Sequence, residues 1–185
     1  MAVRKSRHFN NAMELYILEN YKEIYPELKN SSLTDKLIED CLIEYGVKDF
    51  KLSRTAKGKP YIELCKKSET LEEGCKVHLS VSHSEGIFVC IIGDKPLGID
   101  VQHRRKVSSA KIADKYFTDT EREYIKKYGE DGFFKIWTRK EAYSKLTGKG
   151  LEVIMSGASV LDRDDVEFTD IQLEDGILCS YCVAK

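Results

Sequence analysis

Asp100 stands in the apolar run Pro96-Leu-Gly-Ile-Asp100-Val-Gln102, and Glu141 in the aromatic stretch Phe133-Phe-Lys-Ile-Trp137-Thr-Arg-Lys140-Glu141-Ala-Tyr-Ser-Lys145. A carboxylate in such surroundings keeps its charge only beside a cation or several hydrogen-bond donors. Two of them suggest one shared metal. Each acid taken singly has a plainer reading. Glu141 and Lys145 form an i,i+4 pair in the favourable order, worth a few tenths of a kcal/mol on a helix surface, and Asp100 suits a hydrogen-bonded structural role. The metal reading rests on their combination.

The elements that carry the acids also orient them. A strand over Leu97–Gln102 sends Leu97, Ile99 and Val101 to one face and Gly98, Asp100 and Gln102 to the other. Gly98 leaves room for a ligand or another backbone, although a bulge or simple packing also accounts for a strand glycine. On a helix at about 100° per residue, Phe134, Trp137, Glu141 and Lys145 share one face.

Asn11 to Tyr25 is dense enough in apolar residues for a buried helix ended by Pro26. Asn30-Ser-Ser-Leu33 offers caps for a second helix to about Tyr45, stopped at Gly46. A basic turn, Ser53 to Pro60, leads to a strand over Tyr61–Leu64, and Lys66–Lys76 is expected to be a solvated loop. Val77–His83, Ile87–Ile92 and Leu97–Gln102 predict an antiparallel meander, with His83 and Asp100 in one small sheet. Next come a helix from Ser108 or Ser109 to Phe117, a second from the capping box Thr118-x-x-Glu121 to Tyr128, and a third from Asp131 to Gly148. Ala158–Leu161, Val166–Leu173 and Ile177–Val183 predict closing strands, the last two joined by Glu174-Asp-Gly176. Helices followed by three strands, twice over, suggest a duplicated α+β unit, residues 1–96 and 97–185.

The chain has 185 residues, 42% of them apolar, enough for a real core. A net charge of −1 from 30 basic and 31 acidic residues argues against nucleic acid as partner. The basic start, Met1 to His8, precedes no apolar run of signal length, and no stretch approaches a membrane span. The six cysteines (Cys41, Cys65, Cys75, Cys90, Cys179, Cys182) therefore read as reduced thiols, and the expected location is cytoplasmic. Cys179-Ser-Tyr-Cys182 lacks a second ligand pair for zinc and reads as core thiols.

Five pieces stand in order: Gly58-Lys59-Pro60; Ser82-His83-Ser84; Leu97-Gly98-Ile99-Asp100; Phe117-x-x-x-Glu121; and Trp137-x-x-Lys140-Glu141-Ala142, followed by Lys145 and Gly148-Lys-Gly150. Together they resemble the 4′-phosphopantetheinyl transferases, specifically the larger pseudo-dimeric type that serves peptide and polyketide synthetases. The resemblance spans about residues 55 to 155 and implies two similar α+β halves with the active site between them. It implies transfer of phosphopantetheine from coenzyme A to a serine of an acyl or peptidyl carrier protein, releasing adenosine 3′,5′-bisphosphate.

By the same resemblance Asp100, Glu141 and Gln102 would hold Mg²⁺, with Mn²⁺ an alternative and the neutral amide the weakest ligand of the three. Glu141 would also act as base toward the carrier serine, and Lys145 would contact the pyrophosphate. Ser82 and His83 would bind coenzyme A phosphates, Lys59 its nucleotide end, and Arg54 its 3′-phosphate. Two of these have ordinary alternatives, a strand-end histidine for His83 and a solvated loop lysine for Lys59. The family commonly has Asp-x-Glu where this chain has Asp100-Val101-Gln102, so a strand carboxylate is missing. That departure motivates an alternative reading, a coenzyme A or carrier-binding module with weakened turnover. Carrier proteins are typically acidic, so Arg104-Arg105-Lys106 with Lys111 and Lys115 is a candidate docking surface. A duplicated chain can complete its site as a monomer, the expected state.

Overall fold

A computed structural model describes residues 5–8, 13–64, 76–105, 108–173 and 176–185. Most of the predicted loop after Leu64, with Cys65 and Cys75, lies outside these residues, as do Lys106 and the first two residues of the Glu174-Asp-Gly176 turn. The molecule is α+β, built from antiparallel sheets and helices. Its contacts divide it into two compact units, Met1–Pro96 and Leu97–Lys185.

The first unit runs β1 (Lys5–His8), β2 (Met13–Glu19), a 3₁₀ turn (Tyr21–Glu23), α1 (Asn30–Glu44), β3 (Phe50–Arg54), β4 (Pro60–Leu64), β5 (His78–Ser84) and β6 (Ile87–Gly93). β3 and β4 pair as a hairpin, and the main sheet has the order β1-β2-β6-β5. The helix expected over Asn11–Tyr25 is instead β2 and the 3₁₀ turn. Leu15, Tyr16, Ile17 and Leu18 are all buried, so both faces of this strand are covered. A short apolar run buried on both faces has no alternation to separate it from a helix. α1 forms where expected and ends before Gly46, whose φ of +96° suits a residue without Cβ. No side chain caps its start; the Ser32 and Thr34 hydroxyls donate back to the carbonyls of Lys29 and Ser31. Leu33, Leu37, Ile38, Cys41 and Leu42 of α1 pack on Tyr16, Leu18, Phe88, Cys90 and Ile92 of the sheet.

The second unit runs β7 (Leu97–His103), α2 (Ser109–Tyr116), α3 (Asp119–Thr147), α4 (Leu151–Met155), β8 (Val166–Gln172) and β9 (Ile177–Ala184). Its sheet has the order β7-β9-β8. The predicted three-strand meander therefore fails at its last step. β6 pairs with β2 and β5, which leaves it no free edge for β7, so His83 and Asp100 belong to different sheets. Ala158–Leu161 is not a strand; Val160 is buried against Phe133, Phe134 and Ile136. The capping box forms as predicted, with Thr118 Oγ1 accepting from the Glu121 amide and Glu121 accepting from the Thr118 amide. The two helices expected around it run on as α3, broken at Gly129 (φ +62°, ψ −139°), and α3 ends at Gly148 in the left-handed conformation.

The repeat is present, but it is strand-first. In each unit a strand leads to helix, a later antiparallel hairpin closes the sheet, and the last strand takes the centre: β2-β6-β5 and β7-β9-β8. Four residues past the hairpin glycines Gly86 and Gly176, Cys90 lies opposite Tyr16 and Val81, and Ser180 lies opposite Asp100 and Asp170. A buried tyrosine thus occupies in the first unit the place that Asp100 holds in the second.

Gly98 fixes how α3 lies on β7. A Cβ there would fall 2.0 Å from the Ala142 carbonyl oxygen and 2.6 Å from the Leu146 amide nitrogen. Both are backbone atoms, so no rotamer change relieves the clash. Of the options left by the sequence, close approach of another backbone is the one realised. Gly98→Ala should therefore destabilise the fold by about 1–3 kcal/mol or more through overpacking, read as a lower urea midpoint. A midpoint equal to wild type would show that α3 does not rest directly on β7.

Candidate active site

The second unit gathers four of the predicted residues. Asp100 is nearly buried on β7, and its Oδ1 accepts from Lys145 Nζ at 2.8 Å, one strand-to-helix ion pair. Its Oδ2 accepts from the Gln102 side-chain amide at 3.4 Å. Glu141, half-buried one turn before Lys145, has its pKa raised by burial and by the charge of Asp100, against the opposing charge of Lys145. These groups meet because Gly98, Asp100 and Gln102 share the face of β7 on which α3 rests, as the alternation predicted. The i,i+4 spacing then puts Glu141 and Lys145 on adjacent turns above it.

Lys140, next to Glu141, points elsewhere. Its ammonium and the Glu121 carboxylate are both fully buried, 3.0 Å apart, and Nζ also donates to the Ala158 carbonyl at 2.8 Å. Glu121 in turn accepts from the Val160 and Thr118 amides. Every oxygen and proton-bearing group of this pair has an internal partner, and removing one member of such a pair costs about 3–5 kcal/mol. Glu121 and Lys140 tie the two segments of α3 together across Gly129.

The other predicted residues lie in the first unit. Arg54 and His83 line one cleft of about 740 Å³ with Tyr21, Lys22, Lys29 and Ser31. Arg54 is held there by Asp35 and by the Gly58 carbonyl, to which Nη1 donates at 2.9 Å. Ser82 is buried on β5, and Lys59 sits in the β3-β4 turn that Thr55 closes; neither lines the cleft. Lys22 and Lys29 escaped the sequence reading because a 3₁₀ turn and a helix start bring them beside Arg54, and no local spacing encodes that.

Cys41, Cys90, Cys179 and Cys182 are buried and form no disulfide. Burial, with the nearby Asp100 charge, pushes the Cys179 thiol up to about 12. Among the described residues no helix is long and apolar enough to cross a membrane. Nor, among them, do three or more His, Cys, Asp or Glu side chains cluster closely enough to hold a metal.

The chain resembles known proteins. The model of the 4′-phosphopantetheinyl transferase superfamily matches residues 96–185. A 4′-phosphopantetheinyl transferase of Bacillus subtilis is 32% identical over 138 residues, covering 72% of this chain and 54% of that protein. The 4′-phosphopantetheinyl transferase gsp of Aneurinibacillus migulanus is 25% identical over 179 residues, 88% of this chain and 70% of that protein. The HetI transferase of Nostoc sp. is 32% identical over 78 residues, 39% of this chain and 33% of that protein. The chain thus spans only about half the length of the first of these relatives. With the family model lying over the unit in which Asp100, Glu141 and Lys145 converge, the chain belongs to the 4′-phosphopantetheinyl transferase superfamily.

Proposed function

We propose that this protein transfers 4′-phosphopantetheine from coenzyme A to a serine hydroxyl of an acyl or peptidyl carrier protein. The observation that carries the reading is the convergence of Asp100, Glu141 and Lys145, two acids and a cation, on one face of the second unit. A serine oxygen–phosphorus bond forms, the bridging phosphorus–oxygen bond of the pyrophosphate breaks, and adenosine 3′,5′-bisphosphate leaves.

The donor set suits Mg²⁺. The ion is hard, takes oxygen ligands, and commonly uses one or two carboxylates with phosphate oxygens and water. Asp100 and Glu141 supply such carboxylates, and the ammonium that Asp100 holds in this structure supports the reading that the carboxylate takes a cation. Gln102 turns its amide nitrogen toward Asp100, so in this arrangement it steadies a ligand. Bound there, the ion would offset the charge of the pyrophosphate and of its leaving half.

Glu141 accepts the serine proton. A carboxyl whose pKa burial has raised is a better base than an ordinary glutamate. Lys145 faces the charge that grows on the departing oxygen. His83 and Arg54, with Lys22 and Lys29, offer the first unit's cleft to coenzyme A phosphates, and Ser82 and Lys59 are assigned lesser contacts. Coenzyme A is the donor substrate, and the two-unit repeat supports the larger type within the family. The second reading, a binder with little turnover, is favoured only by Gln102, an amide where a carboxylate would add charge.

Incubation with apo carrier, coenzyme A and Mg²⁺ should add the phosphopantetheine mass to the carrier. Glu141→Gln should slow this by about 10²–10⁴-fold while the protein stays folded. No mass increment across several carriers would leave only the binder. Metal-free protein offers a pH test of Glu141. Its raised pKa means that the folded chain holds this proton more tightly than the unfolded chain does. Glu141 therefore weakens the fold as pH rises above its ordinary value of 4.5, and Glu141→Gln should be more stable than wild type at neutral pH. That advantage should shrink as the pH falls through 4.5, and denaturation midpoints showing the same gap at both would refute the assignment. Lys111 and Lys115 are exposed on α2, while Arg104 is paired with Asp131. If α2 docks an acidic carrier, Lys111→Glu with Lys115→Glu should raise KM for carrier more than for coenzyme A. Equal effects on both constants would reject the docking surface.

A further inference from the structure

The polar row that begins at Asp100 continues across the sheet. Asp100 lies opposite Ser180 on β9, and Ser180 lies opposite Asp170 on β8. Asp170 is gripped by α3. Arg139 donates to it through Nε at 3.0 Å and Nη2 at 2.7 Å, a two-pronged pair, and Lys135 Nζ stands 3.0 Å from Oδ2. Ser180 Oγ donates to Oδ1 at 2.9 Å, and Thr138 Oγ1 is 2.8 Å from Ser180 Oγ. Ser180 has one hydroxyl proton and gives it to Asp170, so the single proton of Thr138 is shared between Ser180 Oγ and the Phe134 carbonyl, 2.9 Å away. Burial alone would raise the Asp170 pKa, but Arg139, Lys135 and Ser180 outweigh it and hold the carboxyl below its usual range.

α3 is thus fastened to its sheet at two places. Arg139 meets β8, and Lys145 meets β7 through Asp100. Glu141 lies between these two fastenings, two residues past Arg139 and one turn before Lys145. A forked guanidinium–carboxylate pair fixes direction as well as distance, which a point contact does not. With both ends tied, α3 cannot roll about its axis without breaking one pair.

We propose that Asp170 is a positioning residue for Glu141 and Lys145, acting through Arg139 and the Ser180–Thr138 link. The proposal rests on the transferase reading above, because its kinetic consequence presumes that Glu141 acts on substrate. Small displacements of a reacting group are expensive, about 10²-fold for an ångström.

Asp170→Asn and, separately, Ser180→Ala, which leaves the ion pair in place, test it in the full chain. Kinetics of carrier modification and amide hydrogen exchange over residues 139–146 are measured alongside thermal unfolding. Asp170→Asn should lower kcat by at least about tenfold with KM for coenzyme A within about twofold, and it should speed exchange in 139–146 more than elsewhere in the second unit. Asp170→Glu, which keeps the charge, should recover part of kcat, and Ser180→Ala should show a smaller loss of the same kind. Folded Asp170→Asn with unchanged kcat and unchanged exchange overturns the proposal. So does a loss confined to KM. Should Asp170→Asn fail to fold, Ser180→Ala decides alone: kcat and exchange equal to wild type would overturn the proposal. If wild type transfers nothing, the transferase reading falls, and the exchange data still decide whether Asp170 holds α3 in place.

Discussion

The second unit is organised by a contact that has no side chain on one side of it. At Gly98 the backbone of α3 comes so near β7 that a single methyl group would strike a carbonyl oxygen 2.0 Å away. A helix seated that closely delivers residues 141 and 145 directly above position 100, which longer side chains at 98 would hold apart. The ion pair between Lys145 and Asp100 and the raised pKa of Glu141 both follow from this closeness. The charged cluster is therefore a result of packing geometry rather than of any attraction between distant acids.

The sheets of the two units share one topology, yet their equivalent positions have gone separate ways. Tyr16 and Asp100 lie at matching register, one in an apolar sandwich with α1 and the other in a polar row beneath α3. The first unit contributes a cleft flanked by Lys22, Lys29, Arg54 and His83. The second contributes acids. The two units keep one sheet topology while matching positions carry side chains of opposite character.

Local sequence was most informative where a short-range rule decides the outcome. The capping box at Thr118, the stop at Gly148, the alternation along Leu97–Gln102 and the shared face of Glu141 and Lys145 all came from spacing within a few residues, and the structure has each of them. Pairing between distant strands is another matter. The sequence of β2 resembles a helix because burial on both faces erases alternation, and the sheet of β7 is not legible in the sequence because nothing near Pro96 reveals that β2 occupies the other edge of β6. Asp170 passed unnoticed for the same reason, since its partners Arg139 and Lys135 reach it only across the folded unit.

The adjacent residues Lys140 and Glu141 face different sides of α3, one locked into the interior with Glu121 and the other toward β7. One extra or missing residue in the segment after Gly129 would turn everything beyond it by about 100°, sending the acid inward and the buried ammonium outward together. The length of that segment is therefore as constrained as the identity of its paired residues. The break at Gly129 is where an insertion could be absorbed, so differences in length among relatives should collect there.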